Sequence, residues 1–93
     1  MNAQRPLLAL LAVAAALTAP AAIAGPKCTD APRSEWLPRQ TMQDRITAAG
    51  YTIDTFKVSG SCYEIYGRDR DDRQVEIYYD PTDGRVVKQR GGD

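Results

Sequence analysis

The side chains of this chain that could do chemistry are its acids, its tyrosines and its two cysteines, because it contains no histidine. Serine and cysteine nucleophiles normally need a positioned base, and imidazole is the usual one. Serine with lysine is the remaining combination, but Ser34, Ser59, Ser61, Lys27, Lys57 and Lys88 show no spacing that singles out a pair. No catalytic residue is assigned. Cys28 and Cys62 lack the Cys-x-x-Cys spacing of redox motifs, and without histidine they complete no zinc site.

Asp69, Asp71 and Asp72 form an acidic cluster, with Asp80 further on, and Asp69-Arg70-Asp71 begins like a calcium loop. The match then fails. Gln74 stands where the sharp-turn glycine belongs, and Arg70 and Arg73 offset the acid charge. The stretch reads as a solvated turn, so no metal ligand and no cofactor is assigned. A small-ligand or divalent-ion binder built on these aspartates is carried as the alternative function.

A second group is set by alternation along strands. In CYEIYG and QVEIYY, period two puts Tyr63, Ile65, Val75 and Ile77 on one face and Glu64, Tyr66, Glu76 and Tyr78 on the other. The outer set pairs tyrosines with carboxylates. Exposed aromatics can anchor a protein partner, so Glu64, Tyr66, Glu76 and Tyr78 are the partner-binding candidates. The two carboxylates could also form an acid and base couple, but an open face offers no burial to separate their pKa values.

The elements that must hold these residues follow from local chemistry. Pro38 suits a helix start and Gly50 a helix stop, and between them Met42, Ile46 and Ala49 make an apolar stripe. Tyr51–Val58 is strand-like but does not alternate cleanly, which predicts a bulge near Asp54-Thr55. Ser59-Gly60-Ser61 turns into Cys62–Gly67, and the polar run Arg68–Arg73 turns into Gln74–Tyr79. Asp80-Pro81-Thr82-Asp83-Gly84 makes a tight turn into a last short strand at Arg85–Gln89. Connections this short permit only antiparallel pairing. The expected fold is α+β, one N-terminal helix packed on a three- to four-stranded antiparallel sheet, with Trp36 closing one end of the core.

The chain opens with a segment that does not belong to that fold. Arg5 precedes an uncharged run from Leu7 to Leu17, and Pro20 leads to the small-residue site Ala22-Ile23-Ala24. That is the pattern of a cleaved signal peptide over residues 1–24. The apolar run is too short for the roughly 20 residues of a spanning helix, so no membrane span is expected after cleavage. The rest divides into an extended arm, residues 25–35, and the domain, residues 36–90. In an exported chain an even cysteine count reads as a disulfide, here Cys28 to Cys62, tying the arm to the body. Lys and Arg number 12, as do Asp and Glu, a formal net charge of zero that gives no reason to propose nucleic acid as a partner.

The order Trp36, then Ala48-Ala49-Gly50-Tyr51, then Cys62-Tyr63-Glu64-Ile65-Tyr66, then Val75-Glu76-Ile77-Tyr78-Tyr79-Asp80-Pro81 and Asp83-Gly84-Arg85-Val86-Val87, resembles the PepSY domain, most closely its small exported stand-alone members. The likeness spans Trp36 to Val87. Asp72-Arg73 departs from it, since the family often has Asp-Gly there, which bears on the turn type. The resemblance implies a helix on an antiparallel sheet and a role in binding or restraining peptidases, without catalytic residues. The expectation is a periplasmic or secreted, non-enzymatic protein-binding domain of the cell envelope, with a peptidase as candidate partner and the open sheet face or an edge strand as contact surface.

Overall fold

The computed structural model describes residues 25–92, and the signal segment assigned to residues 1–24 lies outside them. After an arm and a single 3-10 turn at Arg33–Glu35 comes helix α1 (Arg39–Ala48), followed by β1 (Thr52–Ser59), β2 (Cys62–Arg68), β3 (Gln74–Tyr79) and β4 (Val86–Gly91). The four strands form one antiparallel sheet in the order β1-β2-β3-β4. The helix precedes the sheet in the described chain and packs mainly toward β1.

The ends of the helix are set by backbone chemistry. Pro38 sits at the N-cap, where its missing N–H costs nothing, and its carbonyl accepts the first helical bond from the Met42 amide at 3.0 Å. At the other end Gly50 takes φ +102°, its amide donates to Thr47 O, and the Tyr51 amide donates back to Ile46 O. That is the Schellman closure, and it needs a residue free to turn left-handed. Met42 and Ile46 are buried, but Ala49 is exposed at the C-cap. The apolar stripe is therefore one turn shorter than the spacing predicts.

Met42 and Ile46 meet Tyr63, Ile65, Val75, Ile77 and Tyr79 in the main core, the face expected from alternation. Trp36 closes its end, stacking edge-on against Tyr63 at 5.3 Å between ring centres. Two bonds hold the segment before the helix to the sheet: Tyr63 OH donates to Leu37 O at 2.6 Å, and the Leu37 amide donates to Pro81 O at 2.8 Å. The bulge falls where β1 fails to alternate, with the register shifting between Ile53 and Thr55. Gly67 lies against it so closely that an added Cβ would fall 2.1 Å from Thr52 O.

The β2–β3 turn resolves the Asp72-Arg73 departure. Asp69 N donates to Arg73 O, Asp72 N donates to Asp69 O, and Asp72 itself carries the positive φ of 63°. Aspartate tolerates the left-handed region better than most residues, so a turn without glycine still closes.

The largest difference from the sequence-based expectation is on the far side of the sheet. A second buried cluster lies there, formed by Cys28, Cys62 and Tyr78 with Val87 packed against it. The Cys28–Cys62 disulfide joins residues 34 apart and clamps the arm across β2. Ser61 Oγ reinforces the clamp by accepting from the Cys28 amide at 2.8 Å, and Gly25 lies directly on the Tyr78 ring. The sheet is not one-sided: the helix covers one face and the arm covers part of the other.

A crosslink closing a loop of this length is worth about 3 to 4 kcal/mol on the chain-entropy account. Replacing both cysteines by serine is expected to lower the thermal midpoint by ten degrees or more, since about 1 kcal/mol corresponds to roughly 4–8 °C in a domain of this size. Thermal unfolding of the parent with and without reductant, beside the double variant, checks this; superimposable curves would show that the arm contributes nothing.

Candidate functional site

Glu64, Tyr66, Glu76 and Tyr78 do share the face away from the helix, but that face is not open. Registry places Glu64 opposite Tyr78 and Tyr66 opposite Glu76. The arm and disulfide seal Glu64, 1% exposed, and Tyr78, 7% exposed, while Tyr66 keeps 44% of its surface and Glu76 is half-buried. The expectation that all four are available for contact is thus corrected for Glu64 and Tyr78. What sequence reasoning missed is the arm: alternation sees the two faces of a strand, not which loop returns to cover one.

The four side chains form one network. Tyr78 OH donates to Glu76 Oε2 at 3.1 Å, and Arg90 Nη1 donates to Glu76 Oε1 at 3.0 Å from β4. Lys57 of β1 stands 3.8 Å from Glu64 Oε1 and 5.5 Å from the centre of the Tyr66 ring. Glu64 Oε2 is buried without a hydrogen-bond partner.

Burial therefore does separate the two carboxyls, contrary to the expectation from an open face. Desolvation, with the neighbouring Glu76 carboxylate, raises Glu64 above the ordinary glutamate range, against the opposing pull of Tyr78 and Lys57. Glu76 is held below that range by the Glu64 carboxyl, with Tyr78, Tyr66 and Arg90 adding to it and desolvation opposing. Burial and Glu76 push the Tyr78 hydroxyl up to about 12, and the bond to Glu76 raises Tyr66. Two carboxyls whose pKa values are pushed apart meet the electronic requirement for acid and base work. The geometric requirement is not met, because no substrate atom can reach a carboxyl sealed under the arm. The two carboxyls are a structural pair whose surroundings push their pKa values apart.

The aspartates do not come together as an ion site. Asp69 Oδ1 accepts from the Asp71 and Arg73 amides at 2.9 Å each, and backbone bonding from Arg73 leads in holding its carboxyl below the usual range. Arg73 also pairs with Asp69 and Asp71, and Arg68 with Asp72. Asp80 lies at the next turn, where Thr82 donates to its Oδ1 through both amide and hydroxyl. Burial alone would raise Asp80, but these bonds, with Arg85, outweigh it and lower it. Among the described residues no group of three or more His, Cys, Asp or Glu is arranged to hold a metal.

Fold and site together define a small α+β domain whose notable side chains build surface and fix an arm. The chain belongs to the PepSY family: the family model described as peptidase propeptide and YPEB domain matches residues 8–90. It is thus of peptidase-propeptide type, a regulatory or binding domain, in a family whose members are generally non-catalytic and occur in exported proteins. Comparison with curated proteins and with solved structures returns no match. Among the described residues no helix is long and apolar enough to cross a membrane.

The couple dictates a pH profile. Glu64 binds its proton more tightly folded than unfolded, so its contribution is present below the ordinary glutamate pKa and lost as pH rises through the raised folded value. Glu76 works in the opposite sense, contributing above the ordinary pKa and losing that contribution as pH falls through its depressed folded value. Stability should peak near the ordinary glutamate pKa. Glu64→Gln removes the alkaline-side loss and gives the orphaned position a donor, relieving a penalty of about 1–3 kcal/mol. Thermal midpoints across the acid-to-neutral range are expected to be flatter and higher at neutral pH for this variant; a parallel profile displaced downward would show that Glu64 is ionised and paired in the native state.

Proposed function

We propose that this chain is an exported, non-enzymatic binding domain of the cell envelope that modulates or restrains a peptidase through the uncovered half of its outer sheet face. The observation that carries this reading is the state of Tyr66. It is the one outer-face tyrosine left accessible, with 44% of its surface exposed, beside Lys57 and over the Glu76–Arg90 pair. An aromatic rim held by a fixed charge network resembles the anchors that dominate protein contacts. Glu64 and Tyr78 act beneath it as support, and only the strip Tyr66, Glu76, Lys57 and Arg90 touches the partner.

Export is supported by the signal pattern of residues 1–24, by the disulfide, which persists in oxidising compartments, and by the family's occurrence in exported proteins.

Two measurements test the proposal. The intact mass of protein recovered from the envelope fraction is expected to begin at Gly25 with both thiols oxidised; a full-length cytosolic species with free thiols would overturn export. Crosslinking in intact cells is expected to capture a peptidase with the parent chain and to lose most of it with Tyr66→Ala. Equal recovery by the variant would remove this face from the proposal, and recovery of no peptidase would remove the modulatory role.

A further inference from the structure

The two edges of the sheet are built differently, and the difference points to a second surface. β1 is bulged at Asp54, is backed by α1, and has Asp54 drawn to Arg68 at 3.7 Å, features that twist and charge an edge against pairing. β4 has a register shift only at its start, opposite Tyr78-Tyr79, and carries the charges of Lys88 and Arg90, but no helix backs it and from Lys88 to Gly91 it runs in regular register with β3. It is paired on one side only among the described residues, so its other side presents a row of backbone donors and acceptors.

The two faces of that edge carry different chemistry. On the helix side the α1–β1 packing leaves a mostly apolar groove of about 150 Å³ beside β4, lined by Met42, Ile46, Tyr51, Tyr79 and Val86, with Arg45 as the charged part of its wall. Val86, opposite Tyr79, is 50% exposed at its mouth. On the outer side stand Lys88 and Arg90, opposite Tyr78 and Glu76. Lys88 has no ion-pair partner among the described residues, and the run Arg85-Val86-Val87-Lys88-Gln89-Arg90 contains no acid to balance it.

We infer that β4 accepts an extended segment of another protein as a fifth strand, and that this segment alternates acidic with apolar residues. Strand addition supplies affinity through the backbone and specificity through alternate side chains. With period two, an added strand places one set of side chains into the groove beside Val86 and the other beside Lys88 and Arg90. A second copy of this chain is the wrong occupant: antiparallel β4–β4 pairing would set the Lys88 and Arg90 rows of both copies on one face, and like charges opposed across strands repel. The inference rests on the binding role proposed above but not on Tyr66.

The test uses a synthetic peptide of alternating valine and glutamate, acetylated and amidated, titrated into the oxidised protein at low salt by isothermal calorimetry and amide NMR. Saturable binding is expected, with shifts concentrated at Val86–Gly91. Val86→Asp and Lys88→Glu, both at exposed positions, are each expected to weaken it about tenfold, equivalent to 1.4 kcal/mol, while Tyr66→Ala leaves it unchanged. A peptide N-methylated on alternate amides should not bind, and a valine-lysine peptide should bind weakly or not at all. Absence of binding, equal binding of the N-methylated or lysine peptide, shifts confined to Thr52–Ser59, or a β4-mediated homodimer in sedimentation would each overturn the inference. If Tyr66→Ala alone abolishes binding, the edge is wrong while the binding role stands.

Discussion

The constraint on which this domain depends is that a four-stranded sheet has two faces and a single ten-residue helix covers only one of them. A chain this short buries too little apolar surface to leave the second face bare without penalty. The Cys28–Cys62 link answers that by tethering the arm where Tyr78, Val87 and the sulfurs exclude water together. Entropy explains why a bond is used there rather than packing alone. The arm from Gly25 to Pro32 has no regular structure and few large apolar side chains, so its ordering is not repaid by burial and must be imposed.

Sealing that face has an electrostatic consequence. Alternation obliges β2 to place Glu64 under the arm, next to Glu76 one strand over. Two ionised carboxylates there would oppose each other in a medium that screens poorly, and Lys57 at 3.8 Å is half-exposed and only partly compensating. The upward push on Glu64 eases that conflict, because it favours the neutral form of the buried carboxyl. Glu76, held below the ordinary range, accepts from Tyr78 and Arg90, and these bonds fix the orientation of the exposed strip. The covered and uncovered halves of the outer face are thus one electrostatic unit, the disulfide controlling its lower half and Tyr66 presenting its upper half.

Most of the fold could be read from residues whose local chemistry admits one outcome. Gly50 closes the helix, the broken alternation of β1 marks its bulge, and the inward set Tyr63, Ile65, Val75 and Ile77 forms the core. Where reading failed, a tertiary return of the chain was responsible. Ala49 sits on the apolar stripe by spacing, yet the helix has already turned away from the sheet at that point. Glu64 and Tyr78 sit on the outer face by parity, yet the arm lies over them. The cysteine pair was the available signal for that second error, because a bond between Cys28 and Cys62 forces residues near 28 onto the face that Cys62 shares with Glu64 and Tyr66. Parity and pairing, taken together, place the arm; taken separately, they leave the face open.

The same logic explains why the sheet keeps one vulnerable edge. Helix α1 leans toward β1, where the bulge, Asp54 and Arg68 already discourage pairing, and so the less protected strand is also the less covered one. Were the purpose only to avoid aggregation, the helix would serve better over β4. Cationic residues at Lys88 and Arg90 do part of that work, because they repel a second copy of the same strand. They do not repel an acidic strand. An edge guarded mainly by charge of one sign, with a register shift only at its start and no proline or helix over it, excludes self and admits its electrostatic complement, which is the behaviour required of a domain that binds others without binding itself.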